Sequence, residues 1–309
     1  MKTLRLAPLA LLLGLGFGVA APAAAATVRL SYVVYFGYLP ALDVATGIES
    51  GGGRYRVEAA VVPQNWISWA IPWTAKSEAT GQLGEAGRIL PEHYLSTATW
   101  GSHKRQTSLD FAADGTLKTA IEPPKVEEGR EAVPEALLKN VLDPVSAVMA
   151  MLDAAGAVKL AAAGQSADAA APAAVPAAPT VPVAPAVTPA AAAATTVPGC
   201  PPTVPVFDGR RRFEIRAERQ PDATMAPAYY SAYAGPALVC RLSFKSLAGG
   251  YRDGERSRFW QTEQPGAERP PIELWLAPLR QGAPPVPVYV AGKSILGWVT
   301  AYLASYSFE

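Results

Sequence analysis

The sequence predicts a mostly β protein of the α+β kind, a curved antiparallel sheet with one or two helices packed on it, and three observations carry that expectation. Apolar residues recur at every second position in six segments. One segment switches to helical spacing. A long tract of alanine, proline, valine and threonine then interrupts the succession of strands without supplying an element of its own. Period two marks half-buried strands, and a period near 3.6 marks an amphipathic helix.

Taken in chain order, MKTLRLAPLALLLGLGFGVAAPAAAA begins with Lys2 and Arg5, continues as an apolar run and ends in small residues. That is the pattern of a secretory signal peptide, with cleavage expected after Ala26. The apolar run is short for a span and contains Pro8. The other apolar stretch, VPVYVAGKSILGWVTAYLA, would place Lys293 mid-bilayer at about 2.5–3.5 kcal/mol. The expected product is therefore exported and periplasmic, with peripheral or no membrane contact.

The strands follow. VRLSYVVYFGYL has apolar residues at even positions from Val28 to Tyr38, and RYRVEAAVV alternates Tyr55, Val57, Ala59 and Val61 with Arg54, Arg56, Glu58 and Ala60. The pattern recurs in SLDFAADGTLKTAIE, with Asp114-Gly115 as a hairpin turn, and in ALVCRLSFKSL, IELWLAP and SILGWVTAYLASYSF. PEALLKNVLDPVSAVMAMLDAAG breaks the alternation, its apolar residues falling at helical spacing from Leu137 to Leu152. Asp143-Pro144 supplies an N-cap and a first-turn proline, so a second helix is expected to start there.

Residues 154–199 carry repeated Ala-Pro and Val-Pro steps and read as a disordered insertion, either a tether or a drifting surface loop. The expected organisation is residues 1–26 as signal peptide, 27–153 and 200–309 as two parts of one β-rich domain, and 154–199 between them. The strands of either part alone leave too many edges without a partner.

Formal net charge is +1, which gives no footprint for nucleic acid. Cys200 and Cys240 are the two cysteines, and in an oxidising compartment they are expected to pair. The loop they close, about 41 residues, is worth about 4 kcal/mol in the chain-entropy model. In GCPPTVPVFDGRRRFEIR, Phe207, Phe213, Ile215 and Ala217 are expected to face inward, with Asp208, Arg210, Arg212, Glu214 and Arg216 on the wet face. Arg211 falls on the apolar side of that alternation. It is a ligand contact, a buried ion pair or the mark of a bulge at Asp208-Gly209, and the bulge is favoured.

The order of LSYVVYFGYL, GGRYRVEAAVV, ILPEHY, the helix with Asp143-Pro144-Val145-Ser146, and then Val206-Phe207-Asp208-Gly209 resembles the exported bacterial family called domain of unknown function 3108, over most of residues 27–250 outside the tract. The resemblance implies a half-barrel or spiral sheet, similar to LolA/LolB-type lipoprotein carriers and envelope-integrity proteins, and no catalytic residues. The tract is a departure that reads as an insertion between two of the motifs.

Chemistry is hard to find directly. His93 and His103 lie ten apart in PEHYLSTATWGSHKR and could approach if this is one strand-turn-strand unit, yet too few further ligands are near for a metal site. Glu49, Glu58, Glu78, Glu85, Asp110 and Asp114 alternate with apolar neighbours or sit in turns, as solvated faces do. Hydrolase, phosphate-loop and dinucleotide motifs are absent. No cofactor, no metal and no catalytic activity are expected.

Aromatics offer the strongest ligand signal. QNWISWAIPW places Trp66, Trp69 and Trp73 on one face if helical, and the last strand places Trp298, Tyr302, Tyr306 and Phe308 on one alternating face. These are either core or the wall of an apolar cavity. The expected function is non-catalytic: an envelope protein binding a lipid, lipoprotein or envelope polymer on a concave apolar sheet face, with Trp66, Trp69, Trp73, Trp298, Tyr302 and Arg211 as candidate lining. The alternatives are a structural adaptor without a small ligand and, less favoured, a cell-wall hydrolase.

Overall fold

The computed structural model describes residues 26–309 except 71, 85–87, 122–129, 155–198, 201–202, 251–269, 281–282, 284 and 295–296. Residues 1–25 of the expected signal peptide, nearly all of the Ala/Pro tract and Glu85 therefore lie outside the described residues. Among the described residues the chain folds as one curved antiparallel sheet, not closed into a barrel, with one α-helix.

Seven strands precede the helix: β1 (Ala26–Phe36), β2 (Leu39–Gly51), β3 (Arg54–Pro63), β4 (Trp73–Leu83), β5 (Ile89–Trp100), β6 (His103–Phe111) and β7 (Leu117–Ile121). They form a meander in sequence order. The helix α1 (Pro144–Ala154) follows, and seven more strands come after the tract. These are β8 (Val204–Phe207), β9 (Arg212–Arg219), β10 (Ala223–Met225), β11 (Gly235–Ala248), β12 (Ile272–Pro278), β13 (Pro285–Ser294) and β14 (Gly297–Phe308). The order across the sheet is β7-β6-β5-β4-β3-β2-β1-β14-β13-β12-β11-β9-β8, with β10 paired to β11. Strands from both sides of the tract thus join in one sheet through β1 and β14.

The sheet curves because its two arms bury apolar side chains on the same helix. Tyr55, Val57, Ala79, Tyr94 and Leu109 from one arm, and Ile215, Ala217, Leu238, Leu242 and Leu274 from the other, share a core with Ala147, Met149, Met151 and Leu152 of α1. Each large side chain so buried contributes about 1.5–3 kcal/mol. The arms nearly meet: the Gly209 backbone lies so close to Thr107 of β6 that a Cβ would overlap its methyl group.

The helical pattern before Asp143 is realised differently from expectation. Only Glu135–Leu138 is helical, as a 3-10 turn; Asn140 then takes a positive φ of 54°. Leu142 pairs in parallel with Val206, its N–H donating to Pro205 O and its carbonyl accepting from Phe207 N, both at 2.9 Å. Those two bonds cover the free edge of β8, and an uncovered strand edge is what the local helical preference would have left.

Nor is VFDGRRRFEIR one strand with a bulge. Asp208–Arg211 is the turn between β8 and β9, with Gly209 at φ 94°. Arg212, expected on the wet face, is buried and donates from Nε to Leu137 O at 3.0 Å. A second correction falls on β14. The register slips between Ser31 and Tyr32, leaving Ala304 out of the ladder. Because a one-residue slip exchanges faces, Tyr306 and Phe308 do not share the face of Trp298 and Tyr302.

Candidate functional site

The concave face is closed by α1, and the closure is anchored by a buried polar chain. Asp143 caps the helix: its Oδ1 accepts from the N–H groups of Val145 and Ser146, both at 2.9 Å, and its Oδ2 accepts from Ser146 Oγ. The single hydroxyl hydrogen of Ser146 is engaged with the carboxylate, so its Oγ accepts from Tyr55 OH at 2.7 Å. All three side chains are buried, and the chain ties α1 to β3. Burial raises the Asp143 carboxyl to about 6, against the opposing effect of its hydrogen bonds. Burial likewise raises the Tyr55 phenol, so it stays a donor at neutral pH.

The sequence-derived candidates scatter around this filled interior. Residues 65–70 form turns, not a helix, and Trp66 and Trp69 project from them to solvent. Trp66 Nε1 donates to Pro40 O at 2.8 Å and Trp69 Nε1 to Trp66 O at 3.0 Å. Trp73 starts β4 and pairs with Trp100 at the end of β5. By alternation both share the concave face of Ala79 and Tyr94, beyond the helix. Trp298 is exposed at the start of β14. Tyr302 is buried, with ring centroids 4.6 Å from Tyr230, 4.9 Å from Tyr289 and 5.8 Å from Tyr35. It is the hub of a packed aromatic cluster. Arg211 is half-buried and forms an ion pair with Asp208 within the β8–β9 turn, Nη2 to Oδ2 at 2.7 Å.

Cys200 and Cys240 form the expected disulfide, with Cα atoms 5.9 Å apart. The two histidines do not approach, because His93 stands opposite Asp110 while His103 stands opposite Trp100 at the other end of the β5–β6 hairpin. His93 Nδ1 lies 2.7 Å from Asp110 Oδ1. Among the described residues, no group of three His, Cys, Asp or Glu side chains could hold a metal ion. No helix among them is long and apolar enough to cross a membrane.

What the structure does bring together is a set of exposed aromatics that the sequence reading gathered only in part. Tyr38 (73 % exposed), Trp66 (48 %), Trp69 (84 %), Trp100 (54 %) and Trp298 (60 %) all lie at one end of the sheet. Tyr38, expected as the last apolar position of the first strand, instead sits exposed in the β1–β2 turn, and Trp100 was not among the expected lining residues. Each flanks a turn glycine, Gly37 or Gly101, where polar residues are the rule, and that mismatch was the available signal.

Among the described residues, an open curved sheet packed on one helix, with exposed tryptophans gathered at the hairpin tips, defines a β-rich class of protein. Residues 31–171 match the family "Protein of unknown function (DUF3108)", and that stretch of the chain is similar to this family. Asp143-Pro144-Val145-Ser146 falls within the match and Val206–Gly209 outside it. Neither a curated protein nor a solved structure matches the chain.

Proposed function

We propose that the protein is exported to the periplasm and works there without catalysis, by binding an amphiphilic component of the cell envelope: a lipid, a lipoprotein or an envelope polymer. The observation that carries this reading is the crowding of exposed tryptophans and tyrosines at one end of the sheet. Such rings supply apolar area with a polar handle, which suits amphiphilic targets. Because α1 occupies the concavity, the binding surface of this proposal is the aromatic end in place of the concave face. Trp69 and Trp100 are its principal contacts.

Titration with monomeric short-chain phospholipid, an acylated lipoprotein peptide and soluble peptidoglycan fragments tests this, with tryptophan emission as the readout. A blue shift with at least one of the three is expected, and Trp69→Ala should weaken that binding by about tenfold, the equivalent of one partly buried ring. Silence with all three, or a shift that persists without Trp69 and Trp100, sinks the reading.

A further inference from the structure

Antiparallel order brings every second hairpin connection to the same end of a sheet. Here that end holds the β1–β2 turn at Gly37 and Tyr38, the β3–β4 connection and the β5–β6 turn at Gly101 and Ser102. They are knitted into one rim: Gly37 N donates to Trp298 O at 2.8 Å, Gln64 N to Ala41 O at 2.8 Å, and Gly101 N to Pro72 O at 2.9 Å.

Charge is distributed along this rim in an ordered way. The described residues of the three connections carry no formal charge. Directly behind them stand Lys104, next to His103 in β6, and Lys293, which pairs with Trp298. Lys76 stands three residues behind Trp73, and all three lysines are exposed. The acidic side chain at this level, Asp43, is held by Gln64 Nε2 at 2.5 Å. Rings outermost, with cations one to three residues behind along the strands, is the arrangement that fits a bilayer interface: aromatic rings settle among the headgroups, and long cationic stems reach the phosphates. The indole N–H groups of Trp66 and Trp69 are already bonded to protein carbonyls, so entering the interface strands neither donor.

We propose that this aromatic and basic rim docks the protein on an anionic phospholipid surface, with Trp69 and Trp100 entering the headgroup layer and Lys104 and Lys293 contacting lipid phosphates. The proposal rests on the amphiphile reading above and narrows its target to a bilayer.

Co-sedimentation of the purified protein with phosphatidylcholine vesicles, and with vesicles in which about a third of the lipid is phosphatidylglycerol, tests it. Binding to the anionic vesicles is expected, weakened by added salt. The Lys104→Gln/Lys293→Gln variant should bind them about 25-fold less, about fivefold per lysine, and bind phosphatidylcholine unchanged. Trp69→Ser/Trp100→Ser should lose binding to both while keeping the wild-type urea midpoint, since both rings are exposed. No binding to anionic vesicles, binding indifferent to both variants, or retention only by a protein from an envelope extract would overturn the docking. A blue shift with monomeric phospholipid but none with vesicles would overturn the docking alone, and silence with both would remove the amphiphile reading as well.

Discussion

At the scale of single residues, Asp143 couples helix, sheet and pH. Its carboxylate holds two backbone N–H groups and the Ser146 hydroxyl in a site closed to water. Removing it in Asp143→Ala leaves those donors buried and unpaired, for an expected loss of about 2–4 kcal/mol. Its folded pKa, about 6, stands above the usual carboxyl value. Between about pH 4 and pH 6 the folded chain therefore keeps a proton that the unfolded chain has released. Folded stability contributed by this group is full below about pH 4 and declines as pH rises through 6, by about 3 kcal/mol for two pKa units. Urea unfolding across pH 4–7 should show this decline in the wild type and not in Asp143→Asn, which keeps an acceptor for the helix N–H groups but cannot ionise. Parallel stability–pH curves for the two proteins would refute the assignment. The cap was readable from Asp-Pro before a helical pattern; its burial was not, because it depends on tertiary packing such as Tyr55 of β3 against Ser146.

At the scale of elements, the disulfide and the edge bridge do one job. Cys200 precedes β8 and Cys240 lies within β11, so the bond fixes the chain where it re-enters the sheet, while Leu142 covers the β8 edge from the other side. Replacing both cysteines by serine should cost about 4 kcal/mol by the loop-entropy estimate. The same shift in urea midpoint is expected from reducing the wild type, and a midpoint indifferent to reduction would contradict it. The strands with strong alternation, β1, β3, β11 and β12, were legible in sequence. β4, WTAKSEATGQL, was not, and α1 is the reason. The helix packs against β4 and β5, so β4 presents the small, fully buried Ala79, and beside it Gly81 leaves room for the Leu90 carbonyl of β5 and the Tyr55 hydroxyl of β3. Close helix approach demands small side chains, and small side chains erase the period-two signal. The tryptophans were legible as residues and misread as an element. Helical spacing in QNWISWAIPW meant nothing once hydrogen bonds such as Ile67 N to Gln64 O turned the segment into a loop.

At the scale of the whole molecule, the two parts of the chain meet along the β1–β14 ladder, at the Leu142–Val206 bridge and around α1. The disulfide does not link them, since both cysteines belong to the second part. Each part on its own would expose a large apolar surface: Val57, Tyr94, Leu109 and the outer side of α1 on one, Leu238, Leu242, Leu274 and Leu276 on the other. Exposed strand faces of that kind associate or aggregate. Residues 27–153 and 200–309 expressed separately should therefore fail to give soluble monomers with cooperative unfolding. Co-expressed without residues 154–199, they should co-purify in equal amounts and unfold in one transition, because the shared core and the β1–β14 ladder require no covalent connection through the tract. Joining two chains costs association entropy, so the complex should be less stable than the intact protein and its midpoint should rise with concentration. If either half folds cooperatively alone, the single sheet is two independent units in contact, and the curvature around α1 needs another cause.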